Sequence, residues 1–112
     1  MTPKLKSAFN REMQLAKRLF ESRDYPQCFK HLERAHVLGQ SYYIPHVLSH
    51  YWMLRVGLKQ RNRREILGQL LRILGSAGSL VGWIPIGNTG GTNVSPFKSI
   101  TIPNDLKKYF DE

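Results

Sequence analysis

The chain has 112 residues, of which 41% are hydrophobic and 22% are charged. This composition is ordinary for a globular protein, excludes wholesale disorder and predicts one domain spanning residues 1–112. Seventeen Lys and Arg against eight acidic residues give a formal net charge of +9, which favours acidic partners such as nucleic acid. A solvated positive surface would explain the same charge.

Cysteine usage and hydropathy indicate the compartment. The single Cys28 excludes an internal disulfide, which fits a reducing cytoplasm. The charged N-terminal segment lacks the apolar core of a signal peptide. The least charged stretch, residues 73–97, is interrupted by Gly, Pro, Asn and Ser, and its apolar part is shorter than the ~20 residues of a membrane span. We therefore expect a soluble cytoplasmic protein without a membrane segment.

The first part of the chain predicts a helical hairpin. Apolar residues recur at steps of three and four from Phe9 to Phe20, which marks one face of a helix. A second helix is expected from Tyr25 to Leu38, with Asp24 as its N-cap and Gly39 as its stop. The stretch "DYPQCFKHLERA" resembles the second half of a tetratricopeptide repeat, which implies the same hairpin geometry.

The next part predicts a second, similar hairpin. A third helix is expected to begin near Pro45 and run to about Gln60, and a fourth to run from Arg64 to Leu74 after an N-cap at Asn62. A shift of 38 residues aligns the apolar positions of the two halves. The fold class is therefore all-α, with two tandem antiparallel hairpins in residues 8–74.

Residues 75–112 change in character, because they hold most of the glycines and prolines. They also carry too many apolar side chains for a disordered tail, so we expect an extended segment that packs across the helices. A short terminal helix capped by Asn104 would close it. The apolar side chains are Leu80, Val81, Trp83, Ile84, Ile86, Phe97, Ile100 and Ile102.

All four histidines lie between residues 31 and 50. On helices, Glu33 and His36 share a face at a spacing of three, and His46 and His50 share a face at a spacing of four. His31 points about 140° away from His36 around the helix, so we expect it outside any common site. Cys28 lies on the apolar stripe of its helix, which predicts a buried core residue.

The short loop "GQSYYIP" makes the second and third helices antiparallel neighbours, so the two pairs should face each other. Glu33, His36, His46 and His50 are therefore predicted to bind one divalent transition metal. Zn²⁺ fits this ligand set best, and Fe²⁺, Ni²⁺ or Cu²⁺ fit it as well. A buried polar cluster without metal and a set of solvated side chains are the alternatives.

Two further stretches of the chain carry weaker functional signals. The aromatic residues around the histidines are expected to pack at the helix junction, and "IGNTGG" at residues 86–91 indicates a tight turn because it lacks the pattern of a phosphate loop. A basic run could contact an acidic protein or nucleic acid, although a solvated surface is the plainer interpretation. Its members are Arg55, Lys59, Arg61, Arg63 and Arg64.

The motifs "HLERAHVLGQ", "HYWMLRVG", "REILGQLLRI", "GSLVGWIPIGNTGG" and "IPNDL" resemble an uncharacterised family of small bacterial proteins, a domain of unknown function. The resemblance covers nearly the whole chain from Ala8. It implies that residues matching Glu33, His36, His46 and His50 are characteristic of the family. It also implies that members of the family often occur near heavy-metal efflux genes. It implies no activity.

Three functional hypotheses follow. The first is a small metal-binding helical protein that serves metal handling, sensing or structure. The second is a helical-repeat interaction module that binds an acidic partner through its basic residues. The third is a hydrolytic or oxidative enzyme that uses an open coordination position on the same metal. No catalytic residue is predicted, because the histidines belong to one site.

Overall fold

The computed structural model describes residues 1–76, 86–95 and 98–110. Each of the first four helices contacts the next, the first also contacts the third, and the described residues contain no strand, which confirms the predicted all-α fold. No described helix combines the length and the apolar character needed to cross a membrane. The helices are α1 (Pro3–Glu21), α2 (Tyr25–Gly39), α3 (Tyr43–Gln60), α4 (Arg63–Gly75) and the short α5 (Asn104–Lys107).

The predicted N-caps of α2 and α4 are both confirmed. The Asp24 carboxylate accepts a hydrogen bond from the backbone N–H of Gln27 at 3.3 Å, and the Asn62 side chain accepts from Glu65 at 3.1 Å. Each bond satisfies one of the backbone donors that a helix leaves unpaired at its start. These caps fix where the two helices begin and keep the connections that precede them short.

One predicted cap was wrong, and one observed helix start lies two residues from the residue named in the prediction. The third helix starts at Tyr43, two residues before Pro45, because proline is tolerated throughout the first turn, where its missing N–H has no partner to lose. In α5, Asn104 is the first helical residue and Pro103 holds the cap position, without any side-chain hydrogen bond at the cap.

Gly39 ends α2, as predicted, but the tight packing around it gives a second reason for the glycine. A Cβ atom at this position would lie 2.7 Å from the Cβ of Pro45 and 2.9 Å from the Phe9 ring. Both distances are shorter than ordinary van der Waals contact. Gly39 therefore lets the end of α2 approach α1 and the start of α3 closely, at the point where the chain turns toward the histidines of α3.

The hydrophobic core lies between α1, α2 and α3, and α5 adds one side chain to it. The stripes that the sequence predicts on the first two helices face this core. Burying each of these larger side chains contributes on the order of 2 kcal/mol. The buried members are Leu5, Ala8, Phe9, Met13, Ala16, Cys28, Leu32, Ala35, Val37, Leu38, Met53, Val56 and Leu106.

The similarity between the two hairpins does not extend to burial in α4. Leu67 and Leu70 align with buried or partly buried residues of α2, yet they are 61% and 47% exposed. The side chains that α4 buries are the polar Glu65 and Gln69. The fourth helix therefore faces its neighbours with hydrogen-bonding groups where α2 presents apolar side chains.

The C-terminal segment packs on the helices where the structure describes it. Leu106 is buried in the core, and Ile102 and Tyr109 pack against it, whereas Ile86 is exposed. This arrangement agrees with the expected segment across the helices. Ile100 is half-buried, and the remaining predicted apolar residues lie outside the described residues, namely Leu80, Val81, Trp83, Ile84 and Phe97.

A hydrogen-bond network around a buried carboxylate joins α1, α2 and α5. Glu12 of α1 is 7% exposed, and its oxygens lie 2.7 Å from Nδ1 of His31 and 2.8 Å from Nε of Arg34, both on α2. Arg34 also donates to Asp105 of α5 at 2.6 Å. A buried carboxylate needs such partners, because an unpaired one is costly. The network holds α1, α2 and the C-terminal segment together.

Glu12→Ala should lower the free energy of unfolding by about 1–3 kcal/mol, because it leaves the facing donors of α2 without their acceptor. Urea unfolding monitored by circular dichroism measures the effect. Glu21→Ala removes an exposed carboxylate from the same helix and should change stability by less than about 0.5 kcal/mol. Equal losses in the two variants would show that the network adds nothing beyond surface charge.

Candidate metal centre

The structure brings three of the four predicted ligands together. His36 of α2 meets His46 and His50 of α3, and one nitrogen of each ring lies within 4.8 Å of the other two. The ring centroids are 4.6 to 4.9 Å apart. The three residues are 3%, 9% and 2% exposed, respectively, so they are not solvated side chains of the helix surface. We call these residues the histidine cluster.

The hydrogen bond of His36 fixes which of its ring nitrogens carries the proton. Its Nδ1 lies 2.7 Å from the backbone carbonyl oxygen of Asn88. A carbonyl oxygen can only accept, so Nδ1 must carry the hydrogen and donate it. In the neutral ring, Nε2 then keeps a lone pair and has no hydrogen.

The same reasoning fixes His50. Its Nδ1 lies 2.6 Å from Oε1 of Gln69. The amide nitrogen of Gln69 is held by two acceptors, Oε2 of Glu65 at 2.8 Å and the carbonyl oxygen of Gly90 at 2.9 Å. The amide oxygen must therefore face the ring, and Nδ1 of His50 donates to it. Nε2 of His50 is left with a lone pair.

The two lone pairs face each other. Nε2 of His36 and Nε2 of His50 are 3.1 Å apart, which is hydrogen-bonding distance, yet neither nitrogen carries a hydrogen when both rings are neutral. Two acceptors at this distance repel each other unless a cation lies between them. A proton or a metal ion between the two nitrogens would therefore stabilise this contact.

His46 completes the cluster from the first turn of α3. Its Nδ1 is buried and has no hydrogen-bond partner. An unpaired polar atom in this position has lost its water without replacement, which costs on the order of 1–3 kcal/mol. The fold therefore leaves this atom without a partner among the described residues.

All three imidazoles are kept neutral near physiological pH. Burial, aided by the neighbouring histidines, holds the pKa of His36 well below its usual value. Burial also lowers the pKa of His46 to about 4 and that of His50 to about 3. Neutral imidazole is the form that binds metal ions, so the cluster is ready to bind without first losing protons.

Glu33, the fourth predicted ligand, lies outside the group of converging ligand atoms. It is half-buried, and burial raises the pKa of its carboxyl group. The structure therefore leaves the Glu33 carboxylate out of the three-histidine group.

The glycine-rich turn at residues 87–91 covers the histidine cluster. A Cβ atom on Gly90 would lie 2.7 to 3.0 Å from three atoms of the His36 ring, and the residue has a φ of +86°. Gly87 also has a positive φ, at +80°. The sequence predicted a tight turn here, and the structure shows that this turn packs directly on a histidine.

The remaining sulfur and imidazole groups lie apart from the cluster. Cys28 is fully buried in the core, and burial raises the pKa of its thiol to about 11, which keeps it protonated. His31 contacts Glu12 instead. Of the nearby aromatic residues, Tyr42 and Trp52 pack against the core, whereas Tyr43 and Tyr51 are partly exposed.

The predicted basic residues lie along the end of α3 and the start of α4. Arg55 stacks over the Trp52 ring at 4.4 Å, and Arg64 donates to the carbonyl oxygen of Thr92 at 2.9 Å. These two side chains therefore contribute to packing within the chain. The exposed remainder is Lys59, Arg61 and Arg63.

The comparison with protein families decides what the chain is related to. A family described as "Protein of unknown function (DUF3703)" has a sequence model that matches residues 3–110. The chain belongs to this family. No curated protein and no solved structure matches it significantly. The matched range of the DUF3703 family includes the histidine cluster, the turn above it and the partners of both.

Sequence reasoning missed the residues that orient the rings, namely Gln69, Glu65 and the carbonyl groups of the turn. The available signal was that Glu65 and Gln69 lie four residues apart, on one face of α4 and among apolar residues. Glu65 was instead interpreted as a favourable charge at the helix start, which its N-terminal position also supports. Backbone carbonyl partners leave no signal in side-chain types.

Proposed function

We propose that this protein binds one divalent transition metal ion through His36, His46 and His50. Zn²⁺ is the first choice, because three imidazoles are a frequent zinc ligand set, and Fe²⁺, Ni²⁺ and Cu²⁺ also accept nitrogen ligands. The role that fits a small helical protein without further predicted chemistry is metal handling.

The observation that carries the proposal is the contact between the two Nε2 atoms. Each nitrogen is a lone-pair donor because its ring gives its only hydrogen to a fixed acceptor on the other side. Metal-binding histidines in proteins typically donate their second N–H to a carbonyl or carboxylate oxygen in this way. A buried polar cluster without metal would instead place a hydrogen between the two nitrogens.

The spacing also suits a metal ion. Zinc–nitrogen distances of about 2.0–2.1 Å at a tetrahedral angle separate two ligand nitrogens by about 3.3 Å. The facing atoms of His36 and His50 are 3.1 Å apart. One ion between them would relieve the repulsion, and a ring nitrogen of His46 lies within 4.8 Å to contribute a third ligand.

Three protein ligands leave a fourth tetrahedral position for another donor. Glu33 remains the predicted fourth ligand, although its carboxylate does not converge with the three imidazoles and would have to move to reach the ion. Water in that position would permit hydrolytic chemistry, which keeps the enzyme hypothesis open. Binding is the step that both alternatives require.

Calorimetric titration with Zn²⁺ should show one site in the wild-type protein and no measurable heat in the His36→Ala, His50→Ala double variant. The double variant removes the two facing nitrogens but leaves His31 in place. His31→Gln is the matched control, since it removes the histidine outside the cluster and should bind Zn²⁺ like wild type. Elemental analysis of untagged protein purified without chelator identifies the metal taken up in the cell.

Equal heats for the wild-type protein and the double variant would contradict the proposal. Binding that depends on His31 would contradict it as well, because it would place the ion elsewhere. Circular dichroism of each variant confirms that the helices remain folded, so that lost binding can be assigned to lost ligands.

A further inference from the structure

We infer that the glycine-rich turn at residues 87–91 is a working part of the metal centre, with Gly90 and Asn88 as positioning residues for His36. The inference rests on the proposed function and adds a second claim: metal affinity depends on how the C-terminal segment docks on the helices. Two kinds of contact between the turn and the histidine cluster support it.

The first contact is with the His36 ring itself. The backbone carbonyl of Asn88 accepts from Nδ1 at 2.7 Å, which sets both the tautomer and the rotation of the ring. Gly90 lies against the ring so closely that a Cβ would approach Nε2 to 3.0 Å. The turn therefore holds His36 from its edge and from one face, with Nε2 directed at His50.

The second contact reaches His50 through Gln69. The carbonyl of Gly90 accepts from the amide nitrogen of Gln69 at 2.9 Å, and that bond helps to turn the amide oxygen toward Nδ1 of His50. One residue of the turn thus contacts one metal ligand and fixes the partner of another. A shift of the turn would disturb both nitrogens that face each other.

The turn itself is braced by Asn88. Its side-chain nitrogen donates to the carbonyl oxygens of Ser95 and Lys98 at 2.6 and 2.7 Å, and its side-chain oxygen accepts from the N–H of Gly90 at 2.9 Å. Asn88 is 2% exposed, so these bonds replace all of its contacts with water. These bonds support the turn in the conformation that contacts His36.

The turn is also attached to the helices away from the ring. The N–H of Gly87 donates to the side chain of Gln40 at 2.9 Å, and the hydroxyl of Thr92 donates to Glu65 at 3.2 Å. The turn that orients the metal ligands is thus the same turn that docks the C-terminal segment on the helices. Because such coupling is reciprocal, docking should raise metal affinity and bound metal should hold the segment in place.

Gly90→Ala tests the inference, and Gly91→Ala is a control in the same turn, although only position 90 of the two has a positive φ. Both add one methyl group to the same turn, but a Cβ at position 91 would meet the Asn93 side chain and the Phe29 ring, not a histidine. We expect Gly90→Ala to weaken Zn²⁺ binding 10- to 100-fold and to alter the visible absorption bands of the Co²⁺-substituted protein. Gly91→Ala should bind within about threefold of wild type and keep the wild-type spectrum.

Wild-type protein that binds no metal would overturn both the proposed function and this inference. Wild-type protein that binds Zn²⁺, with a Gly90→Ala variant that binds it equally and gives the same Co²⁺ spectrum, would overturn only the inference. A Gly90→Ala variant that merely melts earlier, with unchanged affinity, would also overturn it, because the role of Gly90 would then be structural alone.

A measurement on the wild-type protein keeps the inference testable if Gly90→Ala does not fold. Hydrogen exchange of the Gly87 and Gly90 amides, both hydrogen-bonded in the turn, should slow at least tenfold when Zn²⁺ is added. Exchange at the same rate with and without Zn²⁺ would show that the turn and the metal are not coupled.

Discussion

In the presence of a chelator, lowering the pH from 7 to 5 should reduce the free energy of unfolding by about 5 kcal/mol through the histidine cluster. Burial holds the pKa values of all three histidines below 6.5, the ordinary value to which they return in the unfolded chain. The unfolded chain therefore takes up protons first as the pH falls. Stability is complete above about pH 7 and is lost progressively below 6.5.

The slope of this loss identifies its source. Three groups that are protonated only in the unfolded chain give up to about 4 kcal/mol per pH unit near pH 5, since each contributes about 1.4. The loss continues until the folded protein can also take up protons, which begins near pH 4 at His46. Urea unfolding at a series of pH values measures the slope.

His46→Gln is the informative variant, because it removes one titrating group whose Nδ1 makes no hydrogen bond. The slope should fall by about one third. A His31→Gln control removes the histidine that contacts Glu12 and should leave the steep loss below pH 6.5 in place. A wild-type protein whose stability is flat from pH 7 to 5 would show that the three imidazoles are not held neutral by the fold.

The sequence predicted the helices well because their signals are local. Apolar spacing located the buried faces of α1 and α2, and Asp24 and Asn62 located two helix starts. The spacing of His46 and His50 by one helical turn, opposite His36 across a short loop, was also readable, because helix geometry fixes the direction of each side chain. The structure brings these three rings together.

The rest of the site depends on contacts between distant parts of the chain. The bond from His36 to the carbonyl of Asn88 spans 52 residues, and carbonyl groups occur at every position, so no residue type reveals it. Gln69 occupies a fully buried place in α4 that an apolar pattern would assign to a leucine. Such a departure from the pattern is expected where a functional site competes with core packing.

Helical spacing alone did not place Glu33 correctly. Its spacing from His36 places it on the same face, but a helix face is wide enough for a side chain to lie on either side of its neighbour. The 86–95 segment packs beside His36, and the Glu33 carboxylate does not converge with the three imidazoles. The sequence could not predict this, because the turn comes from the other end of the chain.

Zn²⁺ at a free concentration 100 times its dissociation constant should raise the free energy of unfolding by about 2.7 kcal/mol at neutral pH. For a chain of this length the melting temperature should rise by about 10 °C. The gain arises because the folded protein gathers three neutral imidazoles, whereas the unfolded chain leaves its histidines separated.

The His36→Ala, His50→Ala double variant should gain less than about 2 °C, since Cys28 and the remaining histidines do not form a site in the fold. A thermal shift of equal size in wild type and double variant would place zinc on the surface. A wild-type shift that disappears with Gly90→Ala but survives Gly91→Ala would instead tie the stabilisation to the turn above the cluster, which connects ion binding to the order of the C-terminal segment.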